Sequence, residues 1–177
     1  MLSIMEKNIT LEENIDALKW VSEAKISTVI QLIIGMPGED DESIAETIDF
    51  LKKICFFSID WNHNLPSDII SINYAQALPG TPLYEWAREF GYIKSSIDDE
   101  ERYLLKISDT DAYEADHFIN YTGLPMLKVL AWRNQILSEI DAFHLMHKNG
   151  ITNLSLFVIL GNYLEWLLSR LSKKIRM

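Results

Sequence analysis

Gly35-Met36-Pro37-Gly38-Glu39 and Pro79-Gly80-Thr81-Pro82 are the two places in this chain where residue type and spacing invite a ligand. Glycine lets a backbone approach another molecule closely or take positive φ, and a proline between two glycines stiffens the turn. Any tight strand-to-helix turn uses the same residues, so turn chemistry alone leaves both readings open. A phosphate cradle is disfavoured. No lysine followed by serine or threonine stands in phosphate-loop spacing, and Glu39-Asp40-Asp41-Glu42 would repel the anion. Tyr74 and Gln76 close the apolar run before the second turn. In a barrel they would point inward toward a substrate, or Tyr74 would simply fill the interior.

The remaining reactive side chains are fewer. Cys55 is the single cysteine and falls on the apolar stripe of a helix, where a cysteine behaves as a small hydrophobe. Asp141, His144 and His147 have the i, i+3 spacing that could gather a metal, but that helix offers no further ligand, so they read as its wet face. His63 and His117 stand in loops beside Asn62, Asn64 and Asp116, open to substrate contact or to plain solvation. No residue is assigned a catalytic or metal-binding role on this basis.

The elements that must position these residues follow from local pattern. Thr10-Leu11-Glu12-Glu13 is a capping box opening a helix that ends near Ala24-Lys25. A strand over 26–34 follows; it is nearly all apolar from Val29 to Ile34 and so predicts burial on both faces and parallel pairing. Asp40 or Asp41 caps a helix to about Lys53, with Ile44, Ile48, Leu51 and Cys55 on one stripe. Residues 56–68 form a long connection, and a second strand spans 69–77. Thr81, with Pro82 at the first helical position and Gly91 past the end, bounds a helix over 82–90. Residues 95–120 read as an acidic loop with short helical turns. A helix follows from Met126 to about His147, and a last one over 153–173.

Length and composition predict one ordinary domain with a real core: 177 residues, 48% of them apolar. A single cysteine and no secretory signal point to a reducing, cytoplasmic setting. Residues 1–120 carry a net charge of −14 and 121–177 carry +4. So acidic a body lacks the cationic surface that nucleic-acid binding needs, and a nucleic-acid partner is not expected. The apolar 151–168 span, interrupted by Gly161, Asn162 and Glu165 and followed by Lys173-Lys174-Ile175-Arg176, suits peripheral contact with an anionic membrane better than crossing one.

At Ile33-Ile34-Gly35-Met36-Pro37-Gly38-Glu39 and Pro79-Gly80-Thr81-Pro82-Leu83-Tyr84 the chain resembles the radical S-adenosylmethionine (radical SAM) enzymes, in particular their cobalamin-binding-domain subgroup. The resemblance covers about residues 1–95, with the two phrases in the family's order and separation. It implies an α/β fold: a partial parallel (β/α) barrel of the TIM-like radical SAM type over 1–95, followed by a mostly helical extension over 96–177. It further implies that Ile33 and Gly35, with the turn Met36, Pro37 and Gly38 that follows, contact the adenine of S-adenosylmethionine, while a small-molecule substrate is expected of the parent enzyme.

The family holds a [4Fe-4S] cluster on three cysteines in a Cys-x3-Cys-x2-Cys loop, and one cysteine cannot build that site. The resemblance therefore implies a fragment, inactive alone, of a parent enzyme doing radical chemistry or cobalamin-assisted methyl transfer. Its partner would be the missing N-terminal barrel portion or a cobalamin-binding domain. The rival reading is a non-catalytic interaction or membrane-surface protein that keeps half a barrel.

Overall fold

The computed structural model describes residues 7–57, 65–108, 111–114 and 118–148. Helix α1 (Leu11–Glu23) opens with the expected capping box: the Thr10 hydroxyl accepts from the Glu13 N–H at 3.1 Å, and the Glu13 carboxylate accepts from the Thr10 N–H at 2.7 Å. Strand β1 (Ile30–Ile34) leads into α2 (Asp41–Ile54). Asp40 and Ser43 cap α2 reciprocally, and its first-turn acids and last-turn lysines both suit the helix dipole. After a 3-10 turn at Cys55–Phe57, a short helix α3 (Pro66–Ile69) delivers β2 (Ile70–Tyr74). Then come α4 (Pro82–Glu89), α5 (Ile97–Ser108) and the long α6 (Met126–Lys148).

β1 and β2 pair in parallel, Ile30 opposite Ile70 through Ile34 opposite Tyr74. Ile30 and Ile34 of β1, with Ile70, Ile72 and Tyr74 of β2, meet Ile44, Ile48, Leu51 and Ile54 of α2 and Val129, Trp132, Ile136 and Ile140 of α6 in one core. Each such side chain contributes roughly 1.5–3 kcal/mol by leaving water, which makes this the stabilising centre of the molecule. Asp41 fastens the start of α2 to α6: its carboxylate accepts from the Trp132 indole N–H at 2.9 Å and from the Lys128 ammonium.

Three expectations are corrected here. First, β1 is covered on one face, not two: Gln31 and Ile33 are exposed on the other, beside the half-buried Ser71 and Asn73. Second, the described residues form no partial (β/α) barrel of the TIM-like radical SAM type. Among the described residues the sheet has two strands, accompanied by six α-helices. A barrel closes only when every strand is paired on both edges at a matching tilt and shear. Here the outer edge of β2 goes to a loop and a side chain instead: the Tyr74 N–H donates to the Ala112 carbonyl at 2.8 Å, and the Arg133 Nε–H donates to the Ile72 carbonyl at 3.4 Å.

Third, much of the acidic stretch after Ser95 is regular helix. The Ser96 hydroxyl accepts from the Asp99 N–H at 3.1 Å, and Asp98, Asp99 and Glu100 sit in the first turn of α5, where the dipole favours them. Gly91, with φ 73°, ends α4 as expected. No helix among the described residues is long and apolar enough to cross a membrane. The helix expected over 153–173, and the loop residues His63 and His117, lie outside the described residues.

Candidate functional site

The turn after β1 is built around an internal anion. Gly35 and Gly38 take φ of 90° and 76°, which the glycines permit without strain, and the chain curls so that the Glu39 side chain lies under it. Only 4% exposed, the Glu39 carboxylate accepts from the Gly35 N–H and, at 3.3 Å, from the Met36 N–H. Burial raises its pKa above the ordinary 4.5, while these two backbone donors pull the other way. An external phosphate or carboxylate is excluded from these amides because an internal one already holds them. The sequence reading took Glu39 only as one of four acids that would repel a phosphate. A carboxylate four residues after a turn glycine, close enough to reach back to its amide, is the signal that could have found it.

Gly35 is fixed by a second constraint. A Cβ there would lie 2.4 Å from Cε2 of Phe118, whose ring stacks on Tyr74 at 4.7 Å between centroids. Gly35, Phe118 and Tyr74 therefore pack as one unit on the helix-covered side of the sheet. Tyr74 is 6% exposed and its hydroxyl pKa is raised by burial. Ile33 lies on the opposite, open face, 44% exposed and level with Asn73 across the strand pair. The structure thus groups Ile33 with Asn73, Gln31 and Ser71, and groups Gly35 with Tyr74. Met36 is buried among Ala75, Ala77, Tyr84, Ala87, Ile93 and Tyr121. Pro37 and Gln76 are half-buried and Gly38 is exposed.

The turn after β2 is held from outside. The Thr81 hydroxyl accepts from the Tyr84 N–H at 3.3 Å and donates to the Leu78 carbonyl at 2.7 Å. The Tyr103 hydroxyl of α5 both accepts from the Ala77 N–H at 3.1 Å and donates to its carbonyl at 3.0 Å. Tyr84 donates to Glu100; this hydrogen bond, with burial and the carboxylate's charge behind it, pushes the Tyr84 hydroxyl up to about 12 and ties α4 to α5.

The other reactive side chains are structural in their placement. Cys55 is buried, which pushes its thiol up to about 12 and keeps it un-ionised. Asp141 and His144 do not line a wet face. Both are buried, and Asp141 accepts from the Ser67 N–H of α3 at 2.9 Å. Burial lowers the pKa of His144, helped by Lys148 and His147. His147 is exposed, with its ring edge against Phe56 at 4.7 Å. Among the described residues no three His, Cys, Asp or Glu side chains gather where a metal could be held.

No family model matches this chain, and no solved structure matches it. An uncharacterized methyltransferase of Pyrococcus horikoshii is 32% identical to it over 87 residues, which are 49% of this chain and 17% of that protein. The chain spans less than a fifth of the length of this curated relative.

Proposed function

We propose that this chain is part of an S-adenosylmethionine-dependent methyl-transfer enzyme of the radical SAM kind, and that its open sheet face and first turn form one wall for the adenosyl group. The observation that carries the reading is the 32% identity over 87 residues to a protein described as a methyltransferase. In this reading each residue has a part. The exposed Ile33 side chain would lie against the purine, and the Asn73 amide, level with it on β2, can donate and accept at the purine edge. Gly35, Met36, Pro37 and Gly38 form the rim, kept rigid by Glu39 beneath them. Tyr74 acts from behind through Phe118, and Gln76 stands nearest a substrate at the end of β2.

S-adenosylmethionine would supply the methyl or adenosyl group that the reaction consumes. The residues present do not fit an iron-sulfur cluster. One buried cysteine cannot provide three thiolates, so no step here passes through a cluster. Cluster and cobalamin would be held by the missing N-terminal barrel portion or a cobalamin-binding domain, with these residues binding and orienting.

The test is titration of S-adenosylmethionine into the purified, isotope-labelled chain, following the Ile33 methyl and Asn73 side-chain amide signals. Saturable shifts at both are expected. The substitution Ile33→Asp should weaken binding roughly tenfold, a loss of about 1.4 kcal/mol. Signals that stay unmoved at millimolar ligand would overturn the proposal.

A further inference from the structure

Phe118 reaches the first turn from a distant part of the chain. Its ring atoms Cε2 and Cζ lie 2.4 and 2.5 Å from where a Cβ on Gly35 would stand, and the ring stacks on Tyr74 at 4.7 Å between centroids. Gly35 directly follows β1 and Tyr74 ends β2, so one side chain touches the ends of both strands. It does so from within the core that the strands share with α2 and α6. Ile33 and Asn73, the pair assigned to the purine, stand in register one residue before Ile34 and Tyr74, with their side chains on the opposite face. Three residues after Phe118, Tyr121 belongs to the second core, which also holds Met36. The stretch 118–121 thus serves both cores, as Gly35 and Met36 do on the turn.

We propose that Phe118 is a positioning residue for the adenosyl site: from behind the sheet, its ring sets the place of Gly35 against Tyr74, and with it the turn and the spacing of Ile33 and Asn73. The assignment rests on the adenosyl reading above and adds to it a residue outside both glycine-bearing phrases. Backbone hydrogen bonds act on the turn elsewhere. The Ile34 carbonyl accepts from the Ala75 N–H at 2.8 Å, and Glu39 holds the Gly35 and Met36 N–H groups from within. Glycine has no side chain to pack, so its lateral position is set by what fills the space beside it, and the three nearest heavy atoms there all belong to Phe118. A site held beforehand in its binding geometry loses less freedom on binding. A loosened turn therefore weakens affinity even when every contacting side chain is kept.

Phe118→Leu, compared with Ile140→Val, tests it in the full, isotope-labelled chain. Both substitutions remove packing from the same core, but only the first removes the ring beside Gly35. One readout needs no ligand. After correction for each variant's measured stability, the Gly35 and Met36 amide hydrogens should exchange at least roughly tenfold faster in Phe118→Leu than in Ile140→Val. The other is affinity: S-adenosylmethionine should bind folded Phe118→Leu roughly tenfold more weakly than the unsubstituted chain, and Ile140→Val within about twofold of it. Should the leucine variant not fold, Phe118→Met fills a similar volume with a flexible chain and takes its place. Equal corrected exchange in the two variants, or equal affinity in chains that bind, would overturn the proposal. If the unsubstituted chain binds no S-adenosylmethionine, the adenosyl reading falls by itself, and amide exchange decides whether Phe118 sets the turn.

Discussion

The two strand-to-helix turns look alike as strings of residues, yet they are held by opposite means. The first is sealed from within: Gly35, Met36 and Glu39 are buried, a carboxylate satisfies two amides, and a phenyl ring occupies the space a Cβ would need. The second is exposed through Leu78, Pro79 and Gly80, and is held by a helix cap on one side and the Tyr103 hydroxyl on the other. Gly80 has a φ of 81° but open space around it. Identical turn residues can therefore carry different constraints: conformation alone at Gly80, conformation plus packing at Gly35.

The largest expected effect separates these glycines. Gly35→Ala should cost about 3 kcal/mol, from left-handed strain together with displacement of Phe118 from Tyr74, whereas Gly80→Ala should cost about 1 kcal/mol from strain alone. Urea unfolding of the two variants measures both, and equal losses would erase the contrast. Next comes Glu39→Ala, which orphans two buried N–H groups and should cost about 2–3 kcal/mol, while Glu39→Gln keeps an acceptor and should cost much less. Comparable losses in the two variants would show that the charge, rather than the acceptor, holds the turn. Thr81→Ala, which removes a cap on the exposed turn, should cost about 1 kcal/mol in the same assay.

The smallest effect is a pH dependence. Because the folded pKa of Glu39 is raised, the folded state takes up a proton more readily than the unfolded chain. Its contribution therefore makes stability rise as pH falls from neutral through the raised folded value toward the ordinary 4.5. Asp41 has the opposite sign. Hydrogen bonds from Lys128 and Trp132 lower its pKa, so its stabilisation is present above the ordinary 3.8 and is lost as pH falls below that. Glu39→Gln should remove the rise and leave the fall. An unchanged stability profile above pH 4.5 would show that Glu39 is not strained by burial.

Helix boundaries were legible wherever the signal was local. Thr10 with Glu13, Asp40, Thr81 and Gly91 each act within one turn of chain, and each stands where its chemistry predicts. Helix α5 was hidden because its acidic composition reads as solvated loop, although Ser96 three residues before Asp99 is a helix-opening pattern. The apolar run of β1 was read as doubly covered because a run of apolar residues does not reveal which face a helix reaches. For the candidate site, the glycine turn was visible from its composition, but the inward turn of Glu39 and the separation of Ile33 from Tyr74 were not.

The amino-acid sequence by itself determined most of the capped helices, the places of the two strands though not their five-residue lengths, and the glycine-bearing turns between strand and helix. These depend on contacts a few residues apart, which the chain carries wherever it goes. Only the tertiary structure decided that, among the described residues, the two parallel strands keep Gln31 and Ile33 exposed on one face and have one edge closed by Ala112 and Arg133. It also decided that Phe118, more than eighty positions away in sequence, makes Gly35 irreplaceable. Such outcomes turn on which distant side chains win the buried space, and packing settles that competition only once the whole chain has folded.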